Sequence, residues 1–131
     1  MQVSLLRAKL HQARVTDADL NYVGSITIDS TLLEQSGMLV WEKVLVVDIE
    51  NGQRLETYII PGEAGSGTIQ LNGAAARLVS VGDRLIIMAF ALAELPVPDN
   101  WEPRVLVLDE ENRVVSVLSE GSYPANLNVT R

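Results

Sequence analysis

The chain has 131 residues, 47% of them hydrophobic and 21% charged, which suits one domain with a sizeable core. Seventeen acidic and ten basic residues give a formal net charge of −7, which opposes binding to nucleic-acid phosphates. Because the chain has no cysteine, one histidine and no apolar run of membrane-spanning length, we expect no disulfide, no thiol catalysis, no metal and no membrane partner, and a cytoplasmic location.

The N-terminal part of the chain alternates between apolar and polar residues, which is typical of β-strands. This pattern predicts a long strand over residues 3–15, a turn over 16–19 and a second strand over 22–28. Thr31 and Glu34 have the spacing of a capping box, and Gly37 is placed to end a helix. We therefore expect a short helix over residues 31–36.

The remainder of the chain also favours short strands. Asn51-Gly52 is a strong hairpin signal between two β-branched runs, at residues 44–49 and 54–60. A glycine-rich loop at 61–67 precedes further predicted elements: a strand at 68–71, one or two helical turns through the alanines at 74–76, a strand at 85–91 and a hairpin joining 105–108 to 114–118. Many short strands and two brief helices indicate a small barrel or sandwich, with a polar, turn-rich tail from residue 120 onward.

Gly24 and Ser25 form the dipeptide with the most distinctive chemistry. A serine hydroxyl can attack the glycine carbonyl before it, because glycine has no Cβ to shield that carbonyl and tolerates strained backbone. Cleavage there would make Ser25 a new N-terminus. Taken alone, the dipeptide is more typical of a turn or of the start of a strand.

Five segments occur in the order and spacing of a known family: Lys9-Leu10-His11, Asp19-Leu20-Asn21-Tyr22-Val23-Gly24-Ser25, Asn51-Gly52-Gln53-Arg54, Thr57-Tyr58 and Asn72-Gly73-Ala74-Ala75-Ala76. Residues 4–91 thereby resemble the pyruvoyl-dependent aspartate 1-decarboxylases. The resemblance implies a mainly β fold, a small closed six-stranded double-psi β-barrel with two or three short helices. It also implies a homotetramer with its sites at subunit interfaces, and it allows a maturation factor as a further partner.

The resemblance further implies that the single domain, residues 1–131, cleaves itself between Gly24 and Ser25 into fragments 1–24 and 25–131. In that family the serine passes through an ester and a β-elimination to become a covalently bound pyruvoyl group. This group forms a Schiff base with L-aspartate and releases carbon dioxide and β-alanine for pantothenate biosynthesis. Neither a metal nor pyridoxal phosphate is implied.

Four further residues match family positions with assigned roles. Tyr58 corresponds to the proton donor, and Thr57 to the residue that binds the Gly24 carbonyl during cleavage. Lys9 and Arg54 correspond to substrate-binding cations, and the planar guanidinium of arginine suits bidentate capture of a carboxylate. Strand alternation would send Thr57 and Tyr58 to opposite faces, so one site could use both only through a bulge, a strand end or a neighbouring subunit.

The other matching positions lie near the scissile bond or in the alanine segment. The resemblance implies substrate binding by Asn72, Gly73, Ala74 and Ala75, with Thr57 as a further substrate-binding residue, and a role for His11 and Tyr22 in ordering the scissile bond. Without the family, all of these residues also fit a structural interpretation, as strand charges, a packed histidine or tyrosine, and a turn into a helix.

Three positions depart from the family pattern: Val47 replaces an aromatic residue, Ala64 an arginine and Arg77 a histidine. Two alternatives to the main interpretation stay open. The chain could be a non-enzymatic double-psi or swapped-hairpin binding module, although a DNA-binding module of that type needs a basic face. It could also be a pyruvoyl decarboxylase of another amino acid, since glutamate differs from aspartate by one methylene.

Overall fold

A computed structural model describes residues 1–118, and most of them lie in β-strands. In chain order the elements are β1 (Gln2–Arg14), β2 (Asp17–Asp19), β3 (Ser25–Asp29), α1 (Ser30–Ser36), β4 (Lys43–Asp48), β5 (Arg54–Gly62), β6 (Ile69–Asn72), a 3₁₀ helix (Gly73–Arg77), β7 (Arg84–Glu94), β8 (Arg104–Leu108) and β9 (Val114–Leu118). The predicted tail from residue 120 lies outside the described residues. Within residues 1–118, no helix has the length and hydropathy needed to cross a membrane.

The strands form one sheet in the order β2-β6-β3-β5-β4-β7-β1-β8-β9. Three pairs are parallel, namely β1 with β8, β2 with β6 and β3 with β5, and the others are antiparallel. The sequence correctly predicted a mainly β fold, but the expected closed six-stranded sheet differs from the nine strands observed, in which no ladder of residues 1–118 joins β2 to β9. The sheet extends further because β1 pairs with β7 on one side and with β8 on the other, and β8 in turn pairs with β9.

Local differences from the predicted elements have physical causes. Residues expected to form a turn include β2, because Asp17–Asp19 pair with β6 across the sheet. The strand expected from residue 22 begins at Ser25, since the preceding segment turns with the Asn21 amide donating to Asp19 Oδ1. The cap of α1 is Asp29, whose carboxylate accepts from the Thr31 amide, and Gly37 ends the helix with φ +80° as predicted.

Alternation along the strands separates an inner face, which forms the core, from an outer face. Fully buried inner side chains come from six strands: Leu10, Ile26, Ile28, Val46, Ile59, Ile69, Leu71, Leu85 and Ile87. Because successive side chains point to opposite faces, Lys9 and His11 flank Leu10 on the outer face of β1. Ser25 likewise precedes the inner Ile26, and Tyr58 precedes the inner Ile59, so both belong to the outer face.

Candidate functional site

Ser25 is the first residue of β3, and its hydroxyl is held from two sides. The Asn72 Nδ2 atom donates to Ser25 Oγ at 2.8 Å, and Oγ lies 3.4 Å from the Val23 carbonyl oxygen, toward which its proton points. The residue is 1% exposed. These two contacts fix the orientation of the Ser25 hydroxyl, which directly follows Gly24 in the chain.

Asn72 lies directly opposite Ser25 in the β3–β6 ladder and is fully buried. Its Nδ2 also donates to Thr27 Oγ1 at 3.0 Å, and its Oδ1 accepts from Gln70 Nε2 at 2.8 Å. Both the oxygen and the nitrogen of the Asn72 side-chain amide therefore have hydrogen-bond partners, which fixes the orientation of the Nδ2 atom that donates to Ser25. The sequence analysis missed Thr27 and Gln70, although alternation in β3 and β6 puts them on the same face as Ser25 and Asn72.

Gly73 packs directly against the backbone of the scissile segment. A Cβ at position 73 would lie 2.8 Å from Gly24 Cα, 2.9 Å from Gly24 N and 3.0 Å from the Tyr22 carbonyl oxygen. The φ of Gly73 is +70°, so this position excludes a side chain on conformational grounds as well. Asn72 and Gly73 thus form a close-fitting cradle, which fits a small carbonyl group made from residue 25.

The two alanines that follow lie in a 3₁₀ helix of five residues, where one or two helical turns were expected. Ala74 is exposed and Ala75 is half-buried against the core. Both alanines directly follow Asn72 and Gly73, the residues of the cradle, in the chain. Among residues 1–118, no group of acidic or histidine side chains has an arrangement that could hold a metal ion.

Tyr58 reaches the same region through the parallel pairing of β3 with β5. The ladder begins with Ile26 opposite Ile59, and Ser25 and Tyr58 each directly precede one of these inner residues, so both lie on the outer face at this end of the ladder. Neighbouring strands are about 4.8 Å apart. The Tyr58 phenol and the Ser25 hydroxyl therefore belong to adjacent strands of one face.

Thr57 and Tyr58 point to opposite faces, because β5 pairs regularly with β4 from Tyr58 to Arg54 without a bulge. Thr57 accordingly lies on the inner face of β5, where it pairs with the buried Val44. Arg54 shares the outer face with Tyr58 but precedes it by four residues, which corresponds to about 13 Å along a strand. It is exposed, and it forms no salt bridge with the described part of the chain.

Lys9 and His11 are not brought to Ser25 within one chain. They lie on β1, three strands from β5, which corresponds to about 14 Å across the sheet. His11 Nδ1 is buried without a hydrogen-bond partner among residues 1–118, and burial, assisted by the charges of Lys9 and Arg84, lowers the pKa of His11. Tyr22 is 52% exposed, and its backbone, rather than its ring, contacts the cradle.

Comparison with known proteins identifies the family. The family model for aspartate decarboxylase matches residues 1–115. Aspartate 1-decarboxylase from Carboxydothermus hydrogenoformans is 56% identical over 117 residues, which covers 89% of this chain and 92% of the relative. The enzyme of that name from Bacillus licheniformis is 54% identical over 125 residues, 95% of this chain and 97% of the relative. Among solved structures, the rationally designed protein mkDPBB_sym1 aligns with 68% of this chain and 99% of its own, with a TM-score of 0.47 and 22% identity. The match over most of the chain shows that this protein belongs to the aspartate decarboxylase family.

Proposed function

We propose that this protein is an aspartate 1-decarboxylase that converts L-aspartate to β-alanine and carbon dioxide, a reaction that supplies pantothenate biosynthesis. The observation that carries the proposal is the Ser25 hydroxyl, held by Asn72 at 2.8 Å where Gly24 packs on Gly73, in a chain of this family. Ser25 and Asn72 are polar and buried, and burying polar side chains costs free energy unless they are hydrogen-bonded, so apolar packing does not account for this pair. A self-processing serine, by contrast, requires a hydroxyl that is held in a fixed position.

Self-processing begins when Ser25 Oγ attacks the Gly24 carbonyl carbon. The Gly24–Ser25 peptide bond breaks, the hydroxyl proton passes to the Ser25 nitrogen, and an ester joins the two residues. Loss of the Ser25 Cα proton then expels the Gly24 carboxylate, and the remaining dehydroalanine takes up water and releases ammonia to leave a pyruvoyl group. The products are fragments 1–24 and 25–131.

The contacts around Ser25 support this sequence of steps. Asn72 fixes the position of Oγ, and the Val23 carbonyl oxygen accepts from the hydroxyl at 3.4 Å. Thr57 lies on β5, the strand that pairs with β3, and its role is to donate from its hydroxyl to the attacked Gly24 carbonyl. Gly73 allows the two backbones to approach without a side chain between them.

In the decarboxylation, the pyruvoyl carbonyl supplies an electrophile for the substrate amine and an electron sink for the loss of carbon dioxide. Tyr58 donates the proton that the product carbon needs, from the outer face of β5, the strand that pairs with β3. Asn72 and the backbone of residues 73–75 bind the substrate beside the cradle. Arg54 and Lys9 bind its carboxylates through charge-assisted hydrogen bonds.

We also propose that the active form is a homotetramer with shared sites. In the sheet order Lys9 and His11 lie on β1, three strands from β5, and the described hydrogen bonds of Ser25 go to neither of them, which favours a second copy as the chain that brings such residues to Ser25. Exposed apolar side chains, including Leu92 at 70% and Val81 at 64%, supply surface for such contacts. The chain runs directly from β1 into β2, and β2 pairs with β6 near the other end of the strand order. The Thr16 amide, between β1 and β2, also donates to the Ile69 carbonyl of β6. These contacts support our proposal of a double-psi barrel.

The test combines mass spectrometry with product analysis. Purified protein incubated to completion is expected to show fragments 1–24 and 25–131 and to form β-alanine from L-aspartate in preference to L-glutamate. Ser25→Ala should abolish both cleavage and turnover, whereas the exposed Ser80→Ala should change neither. Tyr58→Phe should still cleave but turn over more slowly. An intact chain without turnover, in the presence and absence of a cell extract that could supply a maturation factor, would refute the proposal.

A further inference from the structure

Trp41 is an exposed residue in a backbone conformation that tryptophan rarely adopts. Its φ is +74°, in the left-handed region, and its side chain is 72% exposed. For a bulky residue this conformation is a genuine outlier, whereas asparagine or glycine adopts it readily. Because so much of the indole stays in solvent, burial in this chain does not explain a tryptophan here.

The one aromatic contact of Trp41 among residues 1–118 is with Tyr58. The ring centroids are 5.6 Å apart, with 24° between the ring planes, which is an offset stack. Tyr58 is half-buried and directly precedes Ile59, which pairs with Ile26, the residue after Ser25. The indole therefore covers a face of the phenol that would otherwise meet water.

The backbone that carries Trp41 is held firmly. The Trp41 amide donates to the Ile59 carbonyl at 2.8 Å, and the Ile59 amide donates to the Glu42 carbonyl at 3.1 Å. Arg7 Nε donates to Glu42 Oε2 at 2.9 Å, and the Glu42 amide closes a turn onto the Leu39 carbonyl at 3.1 Å. The indole is thus presented to Tyr58 by a turn that is fastened to β5 and β1.

We propose that Trp41 is a positioning residue for Tyr58: its stacked indole holds the phenol in the orientation from which the hydroxyl reaches the reacting carbon. The inference rests on the proposed role of Tyr58 as proton donor. A proton donor acts only within hydrogen-bonding distance of its target, and small displacements of catalytic groups are costly. Stacking restricts the tyrosine ring, which would otherwise be free to turn toward solvent.

The main experiment compares Trp41→Asn with Trp41→Phe in the cleaved enzyme. Asparagine suits the left-handed backbone but removes the stack, so we expect kcat to fall roughly ten-fold, with KM within two-fold of native. The thermal midpoint should be equal or higher, and the extent of cleavage and the oligomer size should be unchanged. Phenylalanine keeps an aromatic face and should restore kcat to within about three-fold of native. A purely structural role would instead lower the thermal midpoint together with kcat.

A double-variant cycle separates the proposed route from others. If Trp41 acts through the Tyr58 hydroxyl, Trp41→Asn should reduce kcat no further in a Tyr58→Phe background. An additive loss would overturn the inference, as would native kcat in Trp41→Asn or a changed oligomer size. Failure of the native protein to turn over aspartate would refute the proposed function instead.

A spectroscopic measurement tests the stack without any activity. In a Trp101→Phe background, Trp41 is the single tryptophan of the chain. Its near-ultraviolet circular dichroism should then weaken on Tyr58→Leu and stay unchanged on Tyr22→Leu, which removes an exposed tyrosine outside the stack. An unchanged spectrum in Tyr58→Leu would overturn the inference.

Discussion

Replacing Gly73 with alanine tests whether the contact with Gly24 governs self-cleavage. The new methyl group would lie 2.8 Å from Gly24 Cα and 2.9 Å from Gly24 N, and both neighbours are backbone atoms. The scissile segment must therefore move away from Asn72, because no flexible side chain is available to yield. We expect Gly73→Ala to slow the appearance of fragment 25–131 by roughly ten-fold or more.

A matched control, Gly52→Ala, separates the two contributions to the destabilisation by Gly73→Ala, which are backbone strain and the clash with Gly24. Gly73 has φ +70° and Gly52 has φ +74°, but a Cβ at position 52 would meet nothing within 4 Å. Alanine in the left-handed region costs about 1–2 kcal/mol at either position. Overpacking adds about 1–3 kcal/mol at position 73 alone. The difference between the two variants therefore isolates the clash with Gly24.

The assay has two parts. Urea unfolding in a Ser25→Ala background, in which the chain stays intact, should show Gly73→Ala less stable than Gly52→Ala by about 1–3 kcal/mol. Intact-mass measurements over time in the native background should show slow cleavage in Gly73→Ala and native cleavage in Gly52→Ala. Equal cleavage rates in the two variants would refute the reasoning, whatever their stabilities.

Burial, assisted by the neighbouring Asp83 carboxyl, raises the pKa of Asp48 from 3.8 to about 6, so the folded state favours the protonated form. The protonated Asp48 therefore contributes about 3 kcal/mol to the free energy of unfolding below pH 3.8, and this contribution is lost as pH rises through about 6. In urea unfolding between pH 4 and 8, Asp48→Asn should remove this fall in the free energy of unfolding. The same pH dependence in the native protein and in Asp48→Asn would contradict the assignment. Asn112→Ala removes three hydrogen bonds to β1 and the glycine-rich loop and should cost about 2–4 kcal/mol of unfolding free energy, against almost none for the exposed Asn100→Ala. Arg54→Lys keeps the charge but loses the planar fork, so KM for aspartate should rise roughly ten-fold with cleavage unaffected, and an unchanged KM would remove Arg54 from substrate binding.

The elements that the sequence predicted best are those with local signals. Asn51-Gly52 joins β4 to β5 as expected, because a tight turn and its flanking strands are encoded within a few residues. Gly37 likewise ends α1 in the left-handed conformation. By contrast, Asp17–Asp19 form a strand only because β6 lies beside them, and nothing local signals that pairing.

The candidate site divides in the same way. The family resemblance of the sequence predicts roles for Gly24, Ser25, Thr57, Tyr58 and Asn72. The partners of Asn72 were missed, since Thr27 is 45 residues away in the chain and is joined to it only by the β3–β6 ladder. The stack of Trp41 on Tyr58 was also missed, because a left-handed tryptophan has no sequence signature.

The sequence by itself determined the family, the mainly β composition and the kinds of chemical group available: a hydroxyl after glycine, a phenol and free cations. Tertiary structure alone decided that Asn72 holds the Ser25 oxygen, that Gly73 packs on Gly24 and that β5, which carries Tyr58, pairs with β3, which begins at Ser25. Those relations depend on the register between strands distant in sequence. Register follows from packing the whole sheet around its core, so no local stretch of residues contains it.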